Sequence, residues 1–160
     1  VVTLISEEQQ RRLLLKSSLA GIRSLVVPRV GYSRWDKNAY NKTEIVASVQ
    51  SVGVTNLADL REGGGKITLL TPKIAENGAI VPITVNSKIP NTERIFIFAE
   101  KNPQPLVSDY VLTPHVEPFV ASRIKMSETA FVHAIVLAEG VFYRTAREVK
   151  VTIGGCGEDS

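Results

Sequence analysis

The sequence predicts a mainly β protein: an immunoglobulin-like antiparallel β-sandwich carrying an N-terminal helical extension. Three observations predict it. Apolar residues recur at helical spacing up to about residue 53. A glycine triplet, Gly63 to Gly65, then interrupts the chain. After it, short runs rich in β-branched and aromatic residues alternate with turn signals, the rhythm of a sandwich.

The elements follow in order. Ser6 with Gln9 has the spacing of a capping box. Leu15, Leu19, Ile22 and Val26 then form one helical stripe, which Pro28 ends, so a helix is expected over 6–27. The stretch 29–40, with Trp35, reads as a connection. Asn41 with Glu44 offers a second capping pair for a helix over 42–53, whose stripe is Ile45, Val49 and Val52 and whose stop is Gly53. A further helical turn is expected near 56–61. Strands are expected at 66–70, 79–85, 95–99, 131–137, 141–145 and 148–153. The turn signals are Glu76-Asn77-Gly78, Pro90-Asn91, Asn102-Pro103 and Glu139-Gly140. In the last strand Val149, Val151 and Ile153 share one face, expected to point inward. The organisation is thus 1–62 helical extension, 63–153 sandwich and 154–160 flexible C-terminal arm.

Composition narrows the function. A chain of 160 residues with 44% hydrophobic and 22% charged residues can bury a core rather than stay disordered. Its net charge of +3 is spread without a basic run, which argues against a nucleic-acid footprint. No apolar stretch reaches membrane-spanning length. His115 and His133 have no second ligand at short spacing, so no metal site and no cofactor are expected. Asp36, Asp59 and Asp109 form no visible acid–base pair.

The chemistry concentrates in the tail, "GGCGEDS". Cys156 is the only cysteine, and Gly154, Gly155 and Gly157 surround it. One cysteine cannot close an internal disulfide, but it can bond another molecule or react as a free thiol. Glycine lacks Cβ and visits positive φ freely, so the flanks make a thin, pliant arm. Three residues beyond Ile153 reach roughly 10 Å at most. The thiolate is the nucleophile, and a free thiol is mostly protonated at neutral pH. No cation adjoins Cys156, while Glu158 and Asp159 oppose a thiolate. Any activating charge must therefore come from a partner.

Four stretches resemble the SoxY family, the sulfur-carrier subunit of the SoxYZ complex in bacterial thiosulfate oxidation. They are "ITLLTPKIAENGAIVPITV" (67–85), "PHVEPFVASRIKMSE" (114–128), "FVHAIVLAEGVFY" (131–143) and "VKVTIGGCG" (149–157). The resemblance implies a covalent carrier that is not itself an enzyme. Cys156 would hold the sulfur intermediates, with Gly154, Gly155 and Gly157 as its swinging arm. It implies a heterodimer with SoxZ, another Ig-like protein; without that partner, the apolar surface left for pairing is expected to make the chain self-associate, with a Cys156–Cys156 disulfide as a second route. The haem enzyme SoxAX would join thiosulfate to the cysteine, the hydrolase SoxB would release sulfate, and a sulfur dehydrogenase, where present, would oxidise the remaining sulfur. It also implies a periplasmic location, the residues being read as a mature chain without a signal peptide. The tail departs from the family's Gly-Gly-Cys-Gly-Gly ending at Glu158.

Two rival classes make different demands. An Ig-like binding module whose tail cysteine serves only for intermolecular disulfide dimerisation leaves the glycine arm unexplained. A thiol enzyme needs a Cys-x-x-Cys pair, a resolving cysteine or an adjacent base, and the tail has none.

Overall fold

The structure, a computed structural model, describes residues 37–153. The helix expected over 6–27, Trp35 and the arm 154–160 lie outside the described residues. Two short helices open the described chain, α1 (Lys37–Tyr40) and α2 (Ile45–Ser51), followed by a 3-10 turn, Leu57–Asp59. Nine strands follow: β1 (Arg61–Glu62), β2 (Ile67–Leu70), β3 (Ile74–Asn77), β4 (Val81–Ser87), β5 (Thr92–Ala99), β6 (Leu106–Val111), β7 (Phe119–Ile124), β8 (Ala130–Ala138) and β9 (Val141–Ile153).

They form two sheets, as the sandwich reading expects. The larger has the order β1-β9-β8-β5-β6, with β3 also paired to β9, and the smaller has the order β2-β4-β7. Most pairs are antiparallel. The exceptions are β1 and β3, which run parallel to the first and last parts of β9. The regions expected as two strands, 141–145 and 148–153, are one strand of 13 residues. No turn residue separates them, and β8 pairs with β9 continuously from Val141 to Val149.

The core has two layers. Between the sheets, Val81, Ile83 and Val85 of β4 meet Ile95 and Ile97 of β5 and Val132, Ala134 and Val136 of β8. On the other face of the large sheet, Phe96, Phe98 and Ile135 pack with Ala39, Val49 and Val54 from the helical segment. Central strands covered on both faces must be apolar on both faces. Hence β5 and β8 read as nearly continuous apolar runs, while β4 alternates buried with more open positions.

Local chemistry sets the boundaries. The Asn41–Glu44 capping pair does not form. The Asn41 amide donates to the Lys37 carbonyl and closes α1. Glu44, extended at φ −117°, is itself the residue before α2 and makes no side-chain cap. Asn41 is therefore too far upstream to cap. Gly53, at φ +96°, ends the helix, and its amide donates to the Gln50 carbonyl. Gly64 and Gly65 both have positive φ in a tight turn closed by the Lys66 amide on the Gly63 carbonyl. Such φ values favour glycine, so the triplet that interrupts the sequence pattern is a turn joining β1 to β2. Glu139 and Gly140, at φ 50° and 73°, make the two-residue hairpin between β8 and β9.

Candidate functional site at the root of the C-terminal arm

The sequence assigns its chemistry to Cys156, with Gly154, Gly155 and Gly157 as the arm, all outside the described residues. What the structure supplies is the root from which that segment leaves: the last part of β9 and the elements that hold it.

The antiparallel ladder between β8 and β9 ends at Ala130 opposite Val149. Beyond it β9 continues for four residues. On one side β3 takes over, pairing Ile74 with Lys150, Ala75 with Val151 and Asn77 with Ile153. On the other side β8 has not yet begun, and a side chain substitutes. The Val151 amide donates to Thr129 Oγ1 at 2.9 Å, and that hydroxyl lies 3.5 Å from the Val151 carbonyl. Thr152 Oγ1 donates to the Glu76 carbonyl at 2.8 Å. The final tie is the Gly78 amide, which donates to the Ile153 carbonyl at 2.7 Å.

The side chains at the root follow the pleat only in part. Val149 is fully buried and Val151 packs at the edge of the inter-sheet core. Ile153 shares their face but is 68% exposed. The expectation that it packs inward is thus corrected: β9 runs past the end of the core, so an inward-pointing side chain there meets no opposing sheet. The strand is held by backbone and hydroxyl hydrogen bonds to its last described residue, three residues before Cys156.

Neither histidine reaches this end. His115 lies exposed in the connection between β6 and β7. That connection joins Val111 to Phe119, and Phe119 pairs with Asn86 at the end of β4 remote from Val81. His133 faces Ala146 across the ladder, seven positions before Ile153. At about 3.3 Å per residue that is roughly 23 Å, against roughly 10 Å for the three residues to Cys156. His133 cannot serve as a base for Cys156 of its own chain.

His133 instead completes a packed sheet. Its side chain is buried, and Nε2 lies 2.8 Å from Glu100 Oε1. Nδ1 is buried without a hydrogen-bond partner. That pattern favours the tautomer with the proton on Nε2, since a proton on Nδ1 would be an unsatisfied buried donor. Nearby, Arg144 Nε donates to Glu62 Oε1 at 3.0 Å, tying β1 to β9. Asp109 likewise has a structural role: it forms a two-pronged pair with Arg94, whose guanidinium stacks over the Phe96 ring at 4.8 Å. Among the described residues, no three His, Cys, Asp or Glu side chains gather as a metal site. No helix among them is long and apolar enough to cross a membrane.

What the sequence reading missed are the root's own fixings: Thr129 and Thr152, and the bond of Gly78, read only as a turn residue, to Ile153. Their partners lie 22, 76 and 75 positions away in the chain (151−129, 152−76 and 153−78), so no local pattern announces them.

Comparison with known proteins agrees with this architecture. No curated protein matches the chain. Among solved structures, the sulfur carrier protein SoxY from Chlorobium limicola f thiosulfatophilum is 37% identical, with a TM-score of 0.58. The match covers 68% of this chain and 96% of that one. A superoxide reductase (neelaredoxin) from Ignicoccus hospitalis is 15% identical with a TM-score of 0.46, covering 54% of this chain and 80% of that one. The family model of the sulfur oxidation protein SoxY matches residues 53–156, from the end of the helical segment through both sheets to the tail cysteine. With that match over most of its length, and over a third of its residues identical to a solved member across the shared region, the chain belongs to the SoxY family of sulfur oxidation proteins.

Proposed function

We propose that this protein is a covalent sulfur carrier of thiosulfate oxidation, with Cys156 as the attachment point and Gly154, Gly155 and Gly157 as the arm that presents it. The observation that carries the reading is the family match, which runs to Cys156 itself. The root geometry supports it. On the β3 side β9 is tied as far as Ile153 and on the β8 side as far as Val151, so the strand that leads to the thiol-bearing segment is held to within three residues of Cys156.

The chemistry follows from a thiol without a base. In the loading step, the Cys156 thiol and the outer sulfur of thiosulfate lose two electrons to a haem partner of the SoxAX kind. A sulfur–sulfur bond forms and the thiol proton leaves. In the next step a hydrolase of the SoxB kind adds water across the bond to the sulfonate. Sulfate departs and a persulfide remains on Cys156. A sulfur dehydrogenase, where present, oxidises that remaining sulfur. The carrier supplies the attacking sulfur and its presentation, and the partners supply the activation, so the chain is not itself a catalyst. The working unit is a heterodimer with SoxZ in the periplasm.

Reconstituted thiosulfate oxidation tests this reading. With SoxZ and the partner enzymes, the wild-type chain supports thiosulfate-dependent cytochrome reduction and Cys156→Ser abolishes it, because an oxygen cannot enter the sulfur–sulfur exchange. Undiminished turnover by Cys156→Ser would remove the carrier role.

A further inference from the structure

We propose that Thr129 is a positioning residue that sets where the rigid strand ends and the arm begins, an inference that rests on the carrier reading of Cys156. The backbone pairing of β8 with β9 stops at Ala130 opposite Val149. Continued in register, the next hydrogen-bonded partner of Val151 would be the backbone of residue 128. The chain has already bent away there, and Thr129 Oγ1 stands in its place, accepting the Val151 amide and facing the Val151 carbonyl.

The hydroxyl is itself held in place. Asn102 clips the bend before it, donating from Nδ2 to the Lys125 carbonyl at 2.8 Å and accepting the Ser127 amide on Oδ1 at 3.0 Å. The Met126 amide donates to the Gly78 carbonyl, and the Gly78 amide donates to the Ile153 carbonyl. One residue thus joins the bend that carries Thr129 to the last tie of β9. Without the Thr129 hydroxyl, residues 150–153 are held from the β3 side alone. Residues 150–153 would then fray more readily from the sheet. A partner that accepts the arm would have to order those extra residues on each encounter, which weakens productive docking. Once seated, the thiol would meet the same chemistry.

Thr129→Val removes the hydroxyl with little change in shape, Thr129→Ser keeps it, and Thr129→Ala removes it without added bulk. In the full chain, the Val and Ala variants should exchange the Val151 amide hydrogen about tenfold faster, the loss of one hydrogen bond. The amides of the central strands should be unaltered. In partner-catalysed loading with thiosulfate, the KM for the carrier should rise severalfold in both while kcat stays the same, and Ser should restore wild-type values. A purely structural hydroxyl would raise exchange but leave KM untouched, and that result overturns the proposal. Unaltered Val151 exchange, or a Ser variant that behaves like Val, overturns it too. Cys156→Ser separates the two claims. A dead Cys156→Ser beside an unchanged KM in Thr129→Val overturns the positioning role alone. Turnover that persists in Cys156→Ser overturns the carrier reading and the positioning role with it.

Discussion

The Gly78 amide donates to the Ile153 carbonyl at 2.7 Å, and this bond is the last hold on β9 among the described residues. It depends on a turn. The Asn77 side chain accepts the Ala79 amide at 2.8 Å, an Asx turn that ends β3 and sets Gly78 beside Ile153. Asn77→Ala should therefore cost about 0.5–1.5 kcal/mol in urea unfolding. It should also raise hydrogen exchange at the Gly78 amide above that of the core strands. Unchanged protection at Gly78 would separate the turn from the root.

The helical segment is part of the fold's energetics. Phe96 is fully buried against the helices, its ring centroid 6.5 Å from Phe98 and 6.4 Å from Phe142. Phe96→Ala should cost about 3–5 kcal/mol, the range for a buried aromatic removed from a core. Measured by denaturant unfolding, a cost below about 1 kcal/mol would mean that the helices barely contribute to this layer.

Tyr40 gives the fold a pH dependence at the alkaline side. Its phenol is pushed above the usual tyrosine value of 10.0, first by burial, then by the Asp109 charge and Tyr110 nearby. The folded state thus keeps a proton that the unfolded chain gives up. Stability from this group is fully present below about pH 10 and is lost as pH rises through the folded-state value. Wild-type protein should lose stability above about pH 10 more steeply than Tyr40→Phe, as followed by thermal unfolding across that range. Equal slopes would contradict the assignment.

His133 is expected to matter for stability and not for the thiol. Glu100→Ala leaves the buried Nε2 of His133 without its carboxylate, and should cost about 1–3 kcal/mol in unfolding measurements. The pH profile of Cys156 alkylation should be the same in wild type and His133→Asn, because the ring sits beyond the reach of the tail. A displaced profile in the variant would show a contact that the strand geometry forbids.

The chain's legibility varied with how many faces each element buries. β4, β5 and β8 stand out in the sequence because at least one face is apolar along most of its length, and the two ends of β9 because 141–143 and 149–153 are rich in β-branched and aromatic residues. β7 does not: only Val120 and Ile124 are buried, while Phe119, Ala121 and Arg123 face out. β6 is half-buried along most of its length, and β3 offers the core only Ala75, so its Glu76-Asn77-Gly78 reads as a turn alone. The parallel pairing of β3 with β9 joins residues 76 positions apart and leaves no local trace. Of the proposed site, Cys156 is singled out in the sequence by its isolation among glycines, a property of composition, and it lies outside the described residues. Thr129 is not singled out, because a hydroxyl that completes a ladder looks like any threonine until the ladder is seen.

The central claim is that Cys156 carries sulfur covalently, and intact-mass measurement tests it most directly. The protein is incubated with thiosulfate, SoxZ and the coupling partner, then measured with and without reductant beside Cys156→Ser. The account predicts a thiosulfate adduct on the wild-type chain that reductant removes, and after addition of the hydrolase a persulfide in its place, with the Ser variant unmodified throughout. A wild-type chain that remains a bare thiol under conditions of active turnover, or an adduct that persists in Cys156→Ser, would contradict it.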